Sequence, residues 1–166
     1  GLRLDCLMFM VFALILLAIA LVDLETGIIP DGLILAGMIN FVLFTFLEGE
    51  DVFSNLIQGV INGLWIAVPI LILSLIMEYF LKKESMGGGD IKLYFMIGLY
   101  FSLMCNVFLV FLSCVFGIAF TLIFQNIRVG DEENPMAFPF GPSIAAAAMV
   151  CVFIAKPLVQ LYLGLF

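Results

Sequence analysis

Two aspartates, Asp23 and Asp90, stand where long apolar runs of the sequence meet polar turns. Only 11% of the residues are charged and 65% are hydrophobic, so an acid at the edge of an apolar run is costly to keep and is a candidate for chemistry. Two carboxylates that meet in one site cannot both ionise cheaply, and they share a proton. One member can then act as general base on water while the other donates to a carbonyl oxygen. This is aspartic-protease chemistry, which needs neither a metal nor a cofactor.

The sequence excludes several other chemistries. It contains no histidine, which rules out a Ser-His triad and an H-E-x-x-H zinc site. Thirteen acids against six bases give a net charge of −7 with no basic patch, so nucleic acid is not an expected partner. The four cysteines lie within apolar runs without a C-x-x-C pair, so we expect small buried or lipid-facing side chains rather than metal ligands. They are Cys6, Cys105, Cys114 and Cys151.

An acidic turn follows the first apolar run. Asp23 closes that run, and Glu25 and Asp31 follow with no base between them. Gly27 permits a tight reversal of the chain, and Pro30, which has no N–H, fits the first turn of the next helix. The alternative is an ordinary polar turn, in which Asp23 and Asp31 only cap helices and Glu25 is solvated.

Three glycines precede the second aspartate. Gly87, Gly88 and Gly89 leave the approach to Asp90 free of side chains and permit positive φ angles, so another backbone can lie close against them. Such a segment favours binding of an extended peptide through main-chain hydrogen bonds, as a protease requires. Lys92 would favour the ionised form of a nearby acid. The alternative is a flexible loop in which Asp90 caps the following helix and Lys92 anchors that helix at the membrane surface.

The elements that must position these residues are membrane helices. The mean hydropathy is +1.30, and apolar stretches long enough to span a bilayer recur along the chain. They predict an all-α, polytopic integral membrane protein with about six transmembrane helices, forming one membrane domain over residues 1–166. The fourth stretch is short for a full crossing, so we expect it to be tilted or to begin within the membrane. The six stretches are 4–22, 28–47, 56–81, 91–104, 105–125 and 139–165.

The basic residues indicate the orientation. Four of the six flank the third turn or lie in the fifth, whereas the second turn, 48–51, has acids and no base. The odd-numbered turns are therefore predicted to be cytoplasmic, with Gly1 outside. This orientation places Asp23, Asp90 and the segment 139–142 on one side of the membrane. The bases concerned are Lys82, Lys83, Lys92 and Arg128.

In four blocks of residues, which are given in chain order at the end of this paragraph, the sequence resembles the type IV prepilin leader peptidases. These are members of the GxGD group of intramembrane aspartic proteases. The resemblance implies that Asp23 and Asp90 are the catalytic pair, that the glycines before Asp90 shape the substrate cleft, and that no metal or cofactor takes part. The matching blocks, in chain order, are Asp23 with Ile29-Pro30-Asp31, then Gly87-Gly88-Gly89-Asp90, then Asp90-Ile91-Lys92-Leu93 running to Gly98, and finally Pro139-Phe140-Gly141-Pro142.

The same resemblance implies a substrate class and a location. The substrates would be prepilins or pseudopilins, whose short basic leader would be cut after a glycine on the cytoplasmic side of the inner membrane. A basic leader would be attracted to the acids Asp23, Glu25 and Asp31. Pro139 and Gly141 would help to position the site, with a proline-marked helix start as the alternative.

One departure from the family concerns the N-terminus. Larger members carry an N-terminal cytoplasmic region with paired cysteines and also methylate the new N-terminus of the product. That region is missing from this sequence, so methyl transfer is not carried over. Residues 1–5 resemble the outer turn before the catalytic half of the larger proteins, which indicates a partial chain, with a natural short form that only cleaves as the alternative.

Two other functions remain open at this point. The first is a small secondary transporter in which Asp23 and Asp90 take up protons or cations along a conduction path. The second is a structural membrane subunit whose acids only end helices. Transport would depend on a transmembrane gradient, whereas proteolysis would persist in detergent.

Overall fold

Six α-helices make up the protein in a computed structural model that describes residues 4–49, 51–82, 87–127 and 139–163. These residues contain no strand, which confirms the all-α prediction. Lys83, Arg128 and Gly1, on which the predicted orientation partly depends, lie outside them. The helices are α1 Leu4–Thr26, α2 Asp31–Glu48, α3 Val52–Leu81, α4 Gly88–Gly98, α5 Leu103–Ile127 and α6 Gly141–Leu163.

Four of these helices, α1, α2, α3 and α5, are long and apolar enough to cross a membrane. The longest, α3, has 30 residues and measures about 45 Å, more than the ~30 Å of a bilayer's hydrocarbon core. Large apolar side chains on their outer faces are exposed, among them Leu14, Trp65, Phe111 and Ile118. Such a surface fits lipid rather than water, and the prediction of a polytopic membrane protein is confirmed.

The short helix α4 lies in the centre of the bundle, where it packs against α2, α3 and α6. Its 11 residues do not reach across a bilayer, in agreement with the short fourth apolar stretch. Because neighbouring helices surround it, its buried side chains join those of α1 and α6 in one core. Core members with 1% exposure or less are Phe12, Leu16 and Ile19 of α1, Leu93, Tyr94, Met96 and Ile97 of α4, Leu109 of α5, and Ile144, Ala147 and Ala148 of α6.

Glycines let α3 approach α4 closely. A Cβ atom on Gly98 would lie 2.7 Å from the Cα of Gly63, and one on Gly63 would lie 2.9 Å from the carbonyl oxygen of Phe95. A Cβ on Gly59, one turn before Gly63, would lie 3.2 Å from the carbonyl oxygen of Leu99 and still nearer to the ring of Phe41 in α2. Two glycines four residues apart form the small-residue pattern typical of close helix packing in membranes.

The chain turns between α4 and α5 at residues 99–102, earlier than the predicted boundary at 104–105. A buried amide stabilises this turn, since Asn106 Nδ2 donates to the carbonyl oxygens of Gly98 and Phe101, both at 3.2 Å. Tyr100 contributes from within the turn by donating to the carbonyl oxygen of Gly37 in α2 at 2.6 Å. Apolar composition alone does not reveal this break, because the residues on both sides of it are hydrophobic.

Candidate active site at the ends of α1, α4 and α6

Asp23 lies in the last turn of α1, on the face directed into the bundle, and is 3% exposed. Its Oδ2 atom accepts a hydrogen bond of 2.9 Å from the backbone N–H of Gly141, the first residue of α6. Asp23 therefore meets another helix rather than capping its own. Gly27 ends α1. It has a φ of +66°, and its N–H donates to the carbonyl oxygen of Asp23, so the chain makes the predicted tight reversal here.

Gly141 occupies a position that a side chain would disturb. A Cβ atom there would lie 2.6 Å from Asp23 Oδ2, so the carboxylate would have to move. Pro139, also named from the sequence, is buried two residues before it. Phe140 fits against Gly117 of α5, where a Cβ atom would collide with its ring. Pro139 and Phe140 thus lead the chain into α6 at the point where Gly141 reaches Asp23.

Asp90 lies in the first turn of α4 and is partly buried. Burial raises the pKa of Asp90 from 3.8 to about 6, the negative charge of Asp23 adds to the rise, and a backbone hydrogen bond from Gly87 opposes it. Asp90 is not the N-cap of its helix, because α4 begins at Gly88 and its N-cap is Gly87. The influence of Asp23 shows that the two carboxylates also lie close enough to sense each other's charge.

The three glycines form the start of α4. Gly87 precedes the helix with an extended backbone, φ −63° and ψ 137°, and Gly88 and Gly89 begin it. None of them has a positive φ angle, so the freedom of glycine to adopt one is not used here. Gly89 instead allows close packing, because its Cβ would lie 3.1 Å from the Cβ of Ile29, whereas a Cβ on Gly88 would meet no atom within 4 Å. The exposed main chain at Gly87 and Gly88 stays open to a peptide.

The acidic turn contains two environments. Glu25 and Asp31 are exposed, whereas Asp23 is buried because it points into the bundle. Lys92 of α4 contacts Asp31 at 2.7 Å, and both side chains are largely exposed. The sequence shows no base in this turn, but the fold brings one from α4. The acid beside Lys92 is therefore Asp31, and the attraction expected for a basic leader falls mainly to Glu25.

No role was predicted from the sequence for two neighbours of the pair, although Ile29 stands in one of the matching blocks. Tyr94 lies one helical turn after Asp90, fully buried, and its hydroxyl is hydrogen-bonded to Ser113 of α5. Ile29 is buried and supports Gly89 from the turn between α1 and α2. The i, i+4 spacing of Asp90 and Tyr94 was a visible signal, since such residues share one helix face. Among the described residues, no three His, Cys, Asp or Glu side chains form a set that could hold a metal.

The arrangement can activate water. Two acids from α1 and α4 lie at one end of the bundle, close enough for the charge of Asp23 to act on Asp90, and the start of α6 is directed at Asp23. Of the two, Asp90 has a pKa of about 6 and so carries a proton more readily than an ordinary aspartate. A site of this kind can both remove and donate a proton within one reaction.

Comparisons with known proteins support a peptidase. A model of the type IV leader peptidase family matches residues 10–122, which include both aspartates but not Gly141. The prepilin leader peptidase/N-methyltransferase of Pectobacterium carotovorum subsp. carotovorum is 30% identical over 130 residues, covering 78% of this chain and 45% of that protein. The protein of the same name from Legionella pneumophila is 25% identical over 154 residues, covering 90% and 50%.

A third relative, again a prepilin leader peptidase/N-methyltransferase, comes from Pseudomonas aeruginosa. It is 28% identical over 154 residues, covering 89% of this chain and 49% of that protein. The chain thus spans about half the length of the curated relatives it matches. No solved structure matches it significantly.

Proposed function

This chain belongs to the type IV leader peptidase family, and from that premise we propose that it is an aspartic endopeptidase of the inner membrane. Its substrates are prepilins or pseudopilins, whose short basic leader it removes by cutting after a glycine on the cytoplasmic side. The observation that supports the proposal is that Asp23 and Asp90 lie at one end of the bundle, close enough for the charge of Asp23 to raise the pKa of Asp90. The substrate class is supported by the names of the relatives.

The reaction uses the pair as one unit. One carboxylate takes a proton from water as the water oxygen bonds to the scissile carbonyl carbon, while the protonated partner gives its proton to the carbonyl oxygen. When the C–N bond breaks, the proton taken from water passes to the leaving amine, and the other carboxyl recovers its proton from the diol. Atoms and charges balance without a metal or cofactor.

The surroundings of the pair supply binding groups. The backbone of Gly87 and Gly88 is exposed beside Asp90, where an extended peptide can pair with it through main-chain hydrogen bonds. Glu25 offers an exposed negative charge for a basic leader. The apolar helix that follows the cleavage site in the substrate would remain in the bilayer, beside the enzyme. Transport, the alternative function, is supported by none of the comparisons.

The proposal is tested by cleavage in detergent. The purified chain is incubated with a peptide that carries a basic leader, a glycine and a following apolar segment. Asp23→Asn and Asp90→Asn should each abolish cleavage, and the double variant should be no worse than either, because residues that act as one unit give non-additive losses. Asp51→Asn is the matched control, since Asp51 is exposed at the start of α3, away from the pair.

Asn keeps the size of Asp, so insertion and helix content, checked by circular dichroism, should stay unchanged in all four variants. Substantial cleavage by either single variant would contradict the proposal. Partial losses that add up in the double variant would also contradict it, because they indicate two independent sites.

A further inference from the structure

The start of α6 is directed at one of the two carboxylates. Gly141 donates its N–H to Asp23 Oδ2 at 2.9 Å. Pro142 has no N–H to offer, and the N–H groups of the next two residues turn back to the carbonyl oxygen of Phe140 at 3.0 and 3.2 Å. Within residues 141–144, Gly141 is thus the residue whose N–H leaves the helix, and it points at a side chain 118 positions away.

This contact favours a negative charge on Asp23. The N-terminus of a helix carries a partial positive charge, and an amide that donates to a carboxylate makes a stronger hydrogen bond than one that donates to a neutral acid. Asp23 is 3% exposed, so water cannot replace the amide. A Cβ at position 141 would lie 2.6 Å from Oδ2, which leaves glycine as the residue that allows this approach.

Asp90 is held differently. It also lies in the first turn of a helix and receives a backbone hydrogen bond from Gly87, so helix position by itself does not distinguish the two acids. Burial opposes ionisation of both acids. At Asp90 the charge of Asp23 adds to this effect, and the two together outweigh the bond from Gly87, since the pKa of Asp90 is raised to about 6. The charge on Asp23 therefore opposes ionisation of Asp90.

We propose that the start of α6 holds Asp23 as the ionised member of the pair, so that Asp23 takes the proton from water and Asp90 gives its proton to the carbonyl oxygen. This division of roles rests on the proposed function. Gly141 is a positioning residue in it, because it acts on the substrate through Asp23.

The other charged groups near the pair do not alter the assignment. From α4, Lys92 is paired with Asp31 of α2 at the exposed edge of the site. Glu25 on α1 is exposed two residues after Asp23. Tyr94 on α4 is buried and hydrogen-bonded to Ser113 of α5. On α6, residues 141–148, which begin at the contact with Asp23, contain no acidic or basic side chain.

The test is the pH dependence of kcat/KM for Gly141→Ala in the full chain. Gly32→Ala is the matched control, because Gly32 is exposed on α2 and a Cβ there meets no atom within 4 Å. In the profile of kcat/KM against pH, the rise on the acidic side, the acidic limb, reports loss of the first proton from the aspartate pair. The fall on the basic side, the basic limb, reports loss of the second proton from the pair. Loss of the Gly141 contact should move the acidic limb upward by about one pH unit, as the loss of one charge-assisted hydrogen bond implies. The basic limb should stay in place.

Each other pattern overturns the inference. A shift of the basic limb with a fixed acidic limb would mean that Asp90 ionises first and Asp23 holds the proton. A uniform loss of activity with both limbs fixed would mean that Gly141 serves packing only. These results require a wild-type chain that cleaves, so they are distinct from failure of the proposed function, in which wild type is inactive or the Asp→Asn variants remain active.

A second measurement does not depend on folding of the Gly141 variant. Infrared spectra of Asp90→Asn and of Asp23→Asn are recorded as a function of pH, and the spectrum of the double variant is subtracted from each. The carboxyl band that remains belongs to Asp23 in the first variant and to Asp90 in the second. Asp23 in the first variant should ionise at lower pH than Asp90 in the second. The reverse order, or equal values, would contradict the assignment.

Discussion

At the residue scale, the proposed site depends on side chains whose hydrogen-bond and ion-pair partners lie far away in the sequence. Asp23 and Asp90 stand out because acids are rare beside apolar runs. The hydrogen bond between Asp23 and Gly141 joins residues 118 positions apart and depends on how α6 enters the bundle. The pairing of Lys92 with Asp31 was missed for the same reason, since the two residues come from different helices.

The glycines before Asp90 allow a test of packing at single positions. Gly88→Val and Gly89→Val add the same side chain to adjacent positions in the first turn of α4. Only Gly89 lies against Ile29, with a Cβ distance of 3.1 Å, so Gly89→Val should lower stability by about 1–3 kcal/mol through overpacking. Gly88→Val should change stability by less than about 0.5 kcal/mol. Thermal unfolding in detergent measures both.

Cleavage assays on the same two variants separate packing from substrate binding. If the peptide lies over the exposed backbone of Gly88, then Gly88→Val should reduce cleavage by at least about tenfold, or roughly 1.4 kcal/mol of barrier, while stability stays unchanged. A stable Gly88→Val variant with normal cleavage would show that no substrate passes over this glycine. Equal stability of the two variants would contradict the close packing at Gly89.

At the scale of elements, α4 is the helix that shapes the site. It is short, buried on most sides and held close to α3 by glycines. Its existence could be predicted from the fourth apolar stretch, but its early end could not, because the turn at 99–102 depends on hydrogen bonds from Asn106 and Tyr100. The Gly59 and Gly63 spacing was present in the sequence, yet its partner, Gly98, is identified only by the packing of the two helices.

Gly98→Ala tests whether this packing positions Asp90. The added Cβ would lie 2.7 Å from the Cα of Gly63, and backbone atoms cannot rotate away as a flexible side chain does. The variant should lose about 1–3 kcal/mol of stability and also cleave more slowly, because α4 must shift as a unit. Gly32→Ala, where the Cβ enters open space, is the control for thermal unfolding and for cleavage. A Gly98→Ala variant with the stability of wild type would contradict the close contact.

At the scale of the whole molecule, the structure is a membrane bundle whose proposed site lies at one end. Apolar length predicted the class and the number of helices, because lipid demands long apolar segments whatever their packing. The gathering of the α1, α4 and α6 ends required three-dimensional contacts, namely Gly141 with Asp23 and the charge of Asp23 acting on Asp90. Which side of the membrane this end faces stays a prediction from the basic residues.

Cysteine labelling in intact cells and inverted vesicles tests that orientation. Single cysteines replace Glu25, Ser54 and Lys82, all exposed, in a chain whose four native cysteines are removed. Because α3 is about 45 Å long, positions 54 and 82 lie near opposite ends of one crossing. Impermeant reagents should label positions 25 and 82 from the cytoplasmic side and position 54 from outside, since basic residues favour the cytoplasm.

Labelling after detergent treatment controls for the reactivity of each cysteine. Labelling of 54 and 82 from one face would contradict the crossing by α3, and labelling of 25 from outside would place the aspartate pair on the wrong side for a cytoplasmic leader.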